Sequence, residues 1–230
     1  MVIGVVVALK EEIEPLVEAM NHVQASKWGQ RPIYEGVIGN CQVVAVAGGV
    51  GKVKAAASTQ HLIDEFAPEA IICCGVAGAL NPKLEIGDIV IAERALQHDF
   101  DLGGPDLLKK LRKRWVKADR VLVDLAVEAG KDLGFEHRIR LGRVLTGDQA
   151  IVTQERRQWL WDNFRGDCVE MEGAAVAQVC QLNDTPFLVV CAISDSAAEN
   201  SVKEFKRGLK ETAADAGQLV VGLLERVVAG

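Results

Sequence analysis

Short runs of β-branched residues alternate along the whole chain with longer stretches whose apolar residues recur at the helical period, and this alternation restricts the fold more than any other feature. Val2 to Ala8 is the first continuous run. The stretch after it puts Leu9, Ile13, Leu16 and Met20 on one helical face. Tyr34 to Gly48 reads as two strands about the Gly39-Asn40 turn, followed by glycine-rich AGGVGKV and a helix over Gly51 to Phe66. Glu69 to Gly75 reads as a buried strand ending in a GVAG turn, and Ile86 to Leu96 as another strand before the 97–106 loop. Helical patterns cover Pro105 to Lys117 and Arg120 to Leu133, and strand patterns Arg138 to Leu145 and Cys168 to Met171. Gln154 to Asn163 is read as a helix, Gly173 to Leu182 as a helix apolar on all sides, Pro186 to Ser194 as the last central strand, and Glu204 to Val228 as an amphipathic closing helix. The pattern predicts an α/β fold, a three-layer α/β/α arrangement around a mixed central sheet. A chain of 230 residues without repeat or linker is expected to form a single domain over 1–230.

Charge and composition narrow the partners. Lysine and arginine total 26 against 32 aspartates and glutamates, a net charge of −6, which gives no footprint for a phosphate backbone, so no nucleic-acid partner is expected. The longest uncharged stretch, Gly36 to Gly51, falls short of the roughly 20 residues of a spanning helix, so no membrane partner is expected. The start lacks a basic region and a cleavage site, and the six cysteines lack metal-ligand spacing. A reducing, cytoplasmic location is the expectation, with no metal and no cofactor.

Ligands in open α/β sheets collect beyond the carboxyl ends of strands, which singles out Glu11-Glu12, Gly75 to Gly78, Glu170-Met171-Glu172 and Ser194-Asp195. Any one of these is weak alone, since a surface carboxylate is usually solvated. Gly48 to Lys52 has neither the spacing nor the hydroxyl of a phosphate-binding P-loop. His98-Asp99 could orient a general base but is more simply structural, and His22, His61 and His137 read as helix-end, helix and strand-edge residues. Glu172 stands at a helix start, where the positive end of the dipole favours a charged acceptor.

Taken together, the segments ALKEE, GVAGALNPKLEIGDIVIAERALQHDFD, TGDQAIVTQE, CVEMEGAAVAQVC and PFLVVCAISDSA, in that order, resemble the purine nucleoside phosphorylase superfamily. Within it the resemblance is to the 5′-methylthioadenosine/S-adenosylhomocysteine nucleosidases. It implies hydrolysis of the N-glycosidic bond of 5′-substituted adenosines to adenine and a free thioribose sugar, by a homodimer in which the HDFD loop of one subunit helps line the other's 5′ pocket. Asp195 is then the counterpart of the aspartate that protonates the purine, Glu172 of the glutamate bonded to the ribose hydroxyls, and Glu12 of the carboxylate that deprotonates the attacking water. Glu170, Met171, Ile151, Ser194, Phe205, Val76, Ala77 and Gly78 match substrate-binding positions, with Met171 against the sugar, the Ile151 backbone at the adenine, Ser194 supporting Asp195 and Phe205 closing over the ligand. Three positions depart from the family pattern: Val76 stands for a serine, Cys191 for an arginine and Ala150 for an aromatic residue. The first two make the water site less polar, and the third weakens base stacking. A phosphorylase of the same fold and a non-catalytic nucleoside-binding protein remain the alternative readings.

Overall fold

In the computed structural model, residues 1–100, 110 and 113–227 are described. Among them ten strands and six helices alternate: β1 (Val2–Val7), α1 (Lys10–Ala19), β2 (Asn21–Trp28), β3 (Arg31–Ile38), β4 (Cys41–Ala47), α2 (Lys52–Phe66), β5 (Ala70–Ala79), β6 (Ile89–Gln97), β7 (Val116–Lys117), α3 (Arg120–Asp132), β8 (Ile139–Thr146), α4 (Gln154–Phe164), β9 (Cys168–Glu170), α5 (Gly173–Leu182), β10 (Phe187–Asp195) and α6 (Ser201–Arg226). All strands join one mixed sheet. β1 lies parallel between β4 and β5, and β5 lies parallel to β10. β10 is antiparallel to β6, β6 parallel to β8, β8 parallel to β9, and β9 antiparallel to β5, so these five strands close into a ring. β4, β3 and β2 run outward from β1 in that order, and β7 pairs at the edge of β6.

Alternation along the strands assigns the two faces. Val5, Val7, Ile72, Cys74, Leu188 and Val190 pack with Ile13 and Leu16 of α1, Ala126 of α3 and Leu219 and Leu223 of α6. Their neighbours Val6, Ile71, Cys73, Val189 and Cys191 point the other way, onto Leu62 of α2 and Val176 of α5. Helices therefore cover both faces, as the sequence predicts, and each fully buried leucine such as Leu16 or Leu62 contributes about 1.5–3 kcal/mol. Helix starts are fixed locally: Asp119 accepts from the Leu122 N–H at 3.0 Å and Thr153 from the Arg156 N–H at 3.3 Å.

Several boundaries differ from the sequence reading. β2 has no apolar alternation because seven of its eight residues are exposed; it is an edge strand paired only with β3. His22 therefore sits in this strand, at a φ of +56°, and not at a helix end. Gly75 to Gly78 do not form a turn but continue β5, paired with β10 on one side and, at Gly78, with Val169 of β9 on the other. Val116 and Lys117 are strand, not helix, since they pair with Arg94 and Ala95 at the edge of β6. Most of the helix read over Pro105 to Lys117, and the 101–106 part of the loop, lie outside the described residues. α6 begins three residues before the predicted Glu204. No helix of the described residues is long and apolar enough to cross a membrane.

Candidate active site

β1, β8, β9 and β10 end beside residues 75–78 of β5, and their carboxyl ends bring the predicted residues to one place. Asp195 pairs in register with Gly78, and Glu170 follows Val169, which also pairs with Gly78. A cavity of about 270 Å³ opens there, lined among others by Glu12, Val76, Ala77, Gly78, Ile151, Glu170, Met171, Glu172, Ser194, Asp195 and Phe205. The eleven residues matched to catalytic or substrate-binding positions thus share one cavity, whereas Gly75, also singled out, does not line it. Gly75 and Gly78 are needed for close approach: a Cβ would stand 2.8 Å from Glu12 Oε1 at the first and 2.9 Å from Asp195 Oδ1 at the second.

Glu12 is 3% exposed and held from three sides. Its Oε2 accepts the N–H groups of Ala8 and Leu9 at 2.9 and 2.8 Å, and its Oε1 accepts the Val76 N–H at 3.2 Å. Burial pushes the carboxyl up to about 7 in spite of these bonds, and the charge of Glu170 adds to the rise. Glu11, one position earlier, is not part of the cavity lining.

The helix-start expectation for Glu172 is corrected. The carboxylate that receives the helix N–H groups is Glu170, whose Oε2 accepts from Glu172 and Gly173 at 2.7 and 2.6 Å while its Oε1 takes the Thr146 hydroxyl. Glu172 is the N-cap residue of α5, as the sequence reading places it, but its side chain makes no capping bond there. Its Oε1 instead accepts the N–H of Gly51 at 2.5 Å, offered by a glycine at a φ of +108° in the AGGVGKV loop. Burial holds both glutamates above the usual carboxylate range, and the charge of Glu170 adds to the rise at Glu172, which is pushed up to about 8. Thr146, which also accepts the Ala174 N–H at 2.8 Å, is a supporting residue behind the site that the sequence reading missed; its place at the end of β8 is the signal that would have found it.

A second, much smaller cavity of about 10 Å³ adjoins the first at Glu12 and is lined by Cys73, Cys74, Gly75, Val76, Glu170, Glu172 and Cys191. That is close to the space one water needs. The departures at Val76 and Cys191 fall on its wall. A hydrogen bond with Cys168 and burial keep the Cys191 thiol protonated, and among the described residues no lysine, arginine or histidine lines this compartment to offset its three glutamates.

Asp195 is 9% exposed, and burial raises its carboxyl above the usual range. Its Oδ1 accepts the Ala197 N–H at 2.9 Å, and its Oδ2 accepts the Ser194 hydroxyl at 2.8 Å. Among the described residues no lysine, arginine or histidine lines the main cavity. Lys10 is exposed beside Glu14, and Lys52 is tied to Asp99 at 2.6 Å. Asp99 is thus taken by Lys52 and the Asp148 N–H, and His98 is buried with neither ring nitrogen bonded to any of the described residues, so among these the two do not form a pair. No cluster of His, Cys, Asp and Glu among the described residues is arranged to hold a metal ion.

The raised Glu12 carboxyl makes stability depend on pH. A folded value of about 7 against an ordinary 4.5 means that its contribution is complete below about 4.5 and is lost as pH rises through about 7. At about 1.4 kcal/mol for each pH unit between these values, the loss is about 3 kcal/mol. Denaturant unfolding of the ligand-free protein should show stability falling between about pH 5 and about pH 8. Glu12→Gln should lessen that slope without abolishing it, since Glu172, pushed up to about 8, loses stability over an overlapping range; an unchanged slope would show that Glu12 contributes nothing to it.

Residues 2–228 match the Phosphorylase superfamily. The 5′-methylthioadenosine/S-adenosylhomocysteine nucleosidase of Oceanobacillus iheyensis is 33% identical over 231 residues, covering 99% of this chain and 100% of the relative. The aminodeoxyfutalosine nucleosidase of Campylobacter jejuni is 31% identical over 230 residues, covering 99% of this chain and all 100% of its own. Among solved structures, the Neisseria meningitidis 5′-methylthioadenosine/S-adenosylhomocysteine nucleosidase in complex with methylthio-immucillin-A superposes with a TM-score of 0.90 at 32% identity, over 98% of this chain and 99% of that one. Sequence, fold and the strand-end cavity agree: the chain belongs to the phosphorylase superfamily and, within it, to the purine nucleosidases.

Proposed function

We propose that this nucleosidase hydrolyses the N-glycosidic bond of 5′-methylthioadenosine, S-adenosylhomocysteine and related 5′-substituted adenosines, releasing adenine and the free thioribose sugar. The observation that carries the reading is a single cavity holding two buried carboxyls, Glu12 and Asp195, with no cationic side chain among its described lining residues. In the proposed reaction the C–N bond breaks with its electron pair passing to the purine, and an oxocarbenium develops on the sugar. Asp195 carries its proton on Oδ2, since Ala197 occupies Oδ1, and donates it to ring nitrogen 7 of the departing base while the Ser194 hydroxyl still bonds Oδ2. Water forms the new C–O bond and gives its proton to Glu12. Glu172 takes the ribose hydroxyls and Met171 packs on the sugar. The backbone of Ile151 bonds the adenine edge and Phe205 covers the ligand. Glu170, with both oxygens already engaged, acts by fixing the start of α5, beside Glu172.

Water rather than phosphate is favoured because a phosphate dianion needs converging cations or N–H donors, whereas the cavity offers three glutamates. The proposal includes a homodimer, supported by exposed Val50, Val152 and Val202, all of them cavity-lining residues that a second copy would cover. Its 5′ preference rests on Leu9, Val50 and Phe205, an apolar set suited to packing on a thioether sulfur and its neighbouring methylenes. A panel of methylthioadenosine, adenosylhomocysteine, 5′-deoxyadenosine, inosine and aminodeoxyfutalosine tests this. The thioethers should exceed aminodeoxyfutalosine in kcat/KM by about 10-fold or more; the opposite order would move the substrate to the futalosine type.

A further inference from the structure

The turn that carries Asp195 is held by another carboxylate, one the sequence motifs do not include. Asp195 ends β10, and the chain then passes through Ala197 at a φ of +49°, a conformation that L-residues with a Cβ rarely adopt. This turn aims the Ala197 N–H at Asp195 Oδ1. Space is tight, since Gly78 approaches both Ala197 and Asp195 from β5. The residue at the middle of the turn, Ser196, gives both of its donors to one oxygen: Glu204 Oε2 accepts the Ser196 N–H at 2.8 Å and the Ser196 hydroxyl at 2.7 Å. Glu204 stands in the first turn of α6, directly before Phe205 of the cavity wall. An eight-residue span thus returns to clamp the segment next to the general acid.

We infer that Glu204 is a positioning residue for purine protonation, acting through Ser196 to fix the turn that carries Asp195. The inference rests on the proposed role of Asp195 as proton donor. Glu204 is the charged group that acts on Asp195, and its sign is the one required, since an anion nearby raises a carboxyl. Other groups facing this region do not duplicate it. Ser194 on β10 is neutral, and β5 presents glycine and backbone. Arg157 of α4 is engaged with the Ala79 carbonyl at 2.9 Å. Lys203, Lys206 and Arg207 of α6 are exposed. Glu12, Glu170 and Glu172 share the cavity but belong to the other cluster, around the small compartment.

Three variants separate the clamp from the charge: Glu204→Gln, Glu204→Ala and Ser196→Ala, read by the pH dependence of kcat and kcat/KM and by NMR titration of the carboxyl carbon of Asp195. Glu204→Gln keeps an acceptor for Ser196 and loses the charge, so the Asp195 titration should move to lower pH. Its rate should fall on the order of threefold or more above neutrality and much less in mild acid, because only the alkaline side depends on how tightly Asp195 holds its proton. Glu204→Ala loses both and should lower kcat on the order of tenfold across the range while KM changes less. Ser196→Ala, which keeps the N–H to Glu204, should fall between the parent and Glu204→Ala. A Glu204→Gln protein whose pH profile and Asp195 titration superimpose on those of the parent overturns the charge, and a folded Glu204→Ala protein with parental kcat overturns the clamp. A parent that cleaves no purine nucleoside would overturn the proposed function instead, and the Asp195 titration in Glu204→Ala, compared with that in Glu204→Gln, would still decide the inference.

Discussion

Replacing Asp195 by asparagine is expected to lower kcat by about 10²–10⁴-fold, the usual worth of a positioned general acid. Substrate affinity should change far less. The amide keeps an oxygen to accept the Ala197 N–H and the same planar shape beside Ser194, so the purine edge can still be held. What it lacks is the proton that the proposed acid donates, which burial favours on the carboxyl. Steady-state kinetics on methylthioadenosine with a measured dissociation constant separate the two effects. A variant within about threefold of the parental kcat would contradict the proton-donor assignment, since no general-acid role is that small.

Glu12→Gln is expected to lower kcat by a similar factor, about 10²–10⁴-fold, because glutamine cannot take the proton of the attacking water. Here the site is pre-ordered by backbone: the N–H groups of Ala8, Leu9 and Val76 fix both oxygens, and a glutamine amide must turn its NH₂ toward at least one of these donors. Single-turnover rates at saturating substrate isolate the chemical step from that disturbance. A value of about 7 for Glu12 also puts the acid side of the rate profile near neutrality, since the base must lose its proton to act. Loss of the rate in Glu12→Gln with binding retained is the expected result; weaker binding with an unchanged single-turnover rate would demote Glu12 to a structural cap of α1.

The parts of this account that were legible in the sequence are those written in local pattern. Val5, Val6 and Val7 alternate between two cores, and the strand-end rule finds Glu12, Met171, Glu172, Ser194 and Asp195 because strands such as β1 and β10 end where their apolar runs end. Four things were not legible. β2 buries almost nothing, so its residues carry no period to read. The glycines of Gly75-Val76-Ala77-Gly78 look like turn residues in one dimension, yet they serve two carboxyls that arrive from α1 and β10. The division of labour between Glu170 and Glu172 depends on which side chain reaches Gly173 and which reaches Gly51, a choice made by the packing of α5 against the AGGVGKV loop. The Ser196 to Glu204 clamp likewise follows from where α6 starts, three residues earlier than amphipathicity suggests.

The departures at Val76 and Cys191 bear on the central claim, that water attacks the sugar. Both line the small compartment behind Glu12, and neither supplies charge, so the space suits a neutral molecule held by glutamates. The most direct measurement is to run the purified protein on methylthioadenosine in phosphate-free buffer made with heavy-oxygen water, and to analyse the sugar by mass spectrometry. The account predicts adenine release at full rate, a free methylthioribose carrying one heavy oxygen, and no stimulation when phosphate is added. Adenine release that begins only after phosphate is supplied, with the sugar recovered as its 1-phosphate ester, would contradict it.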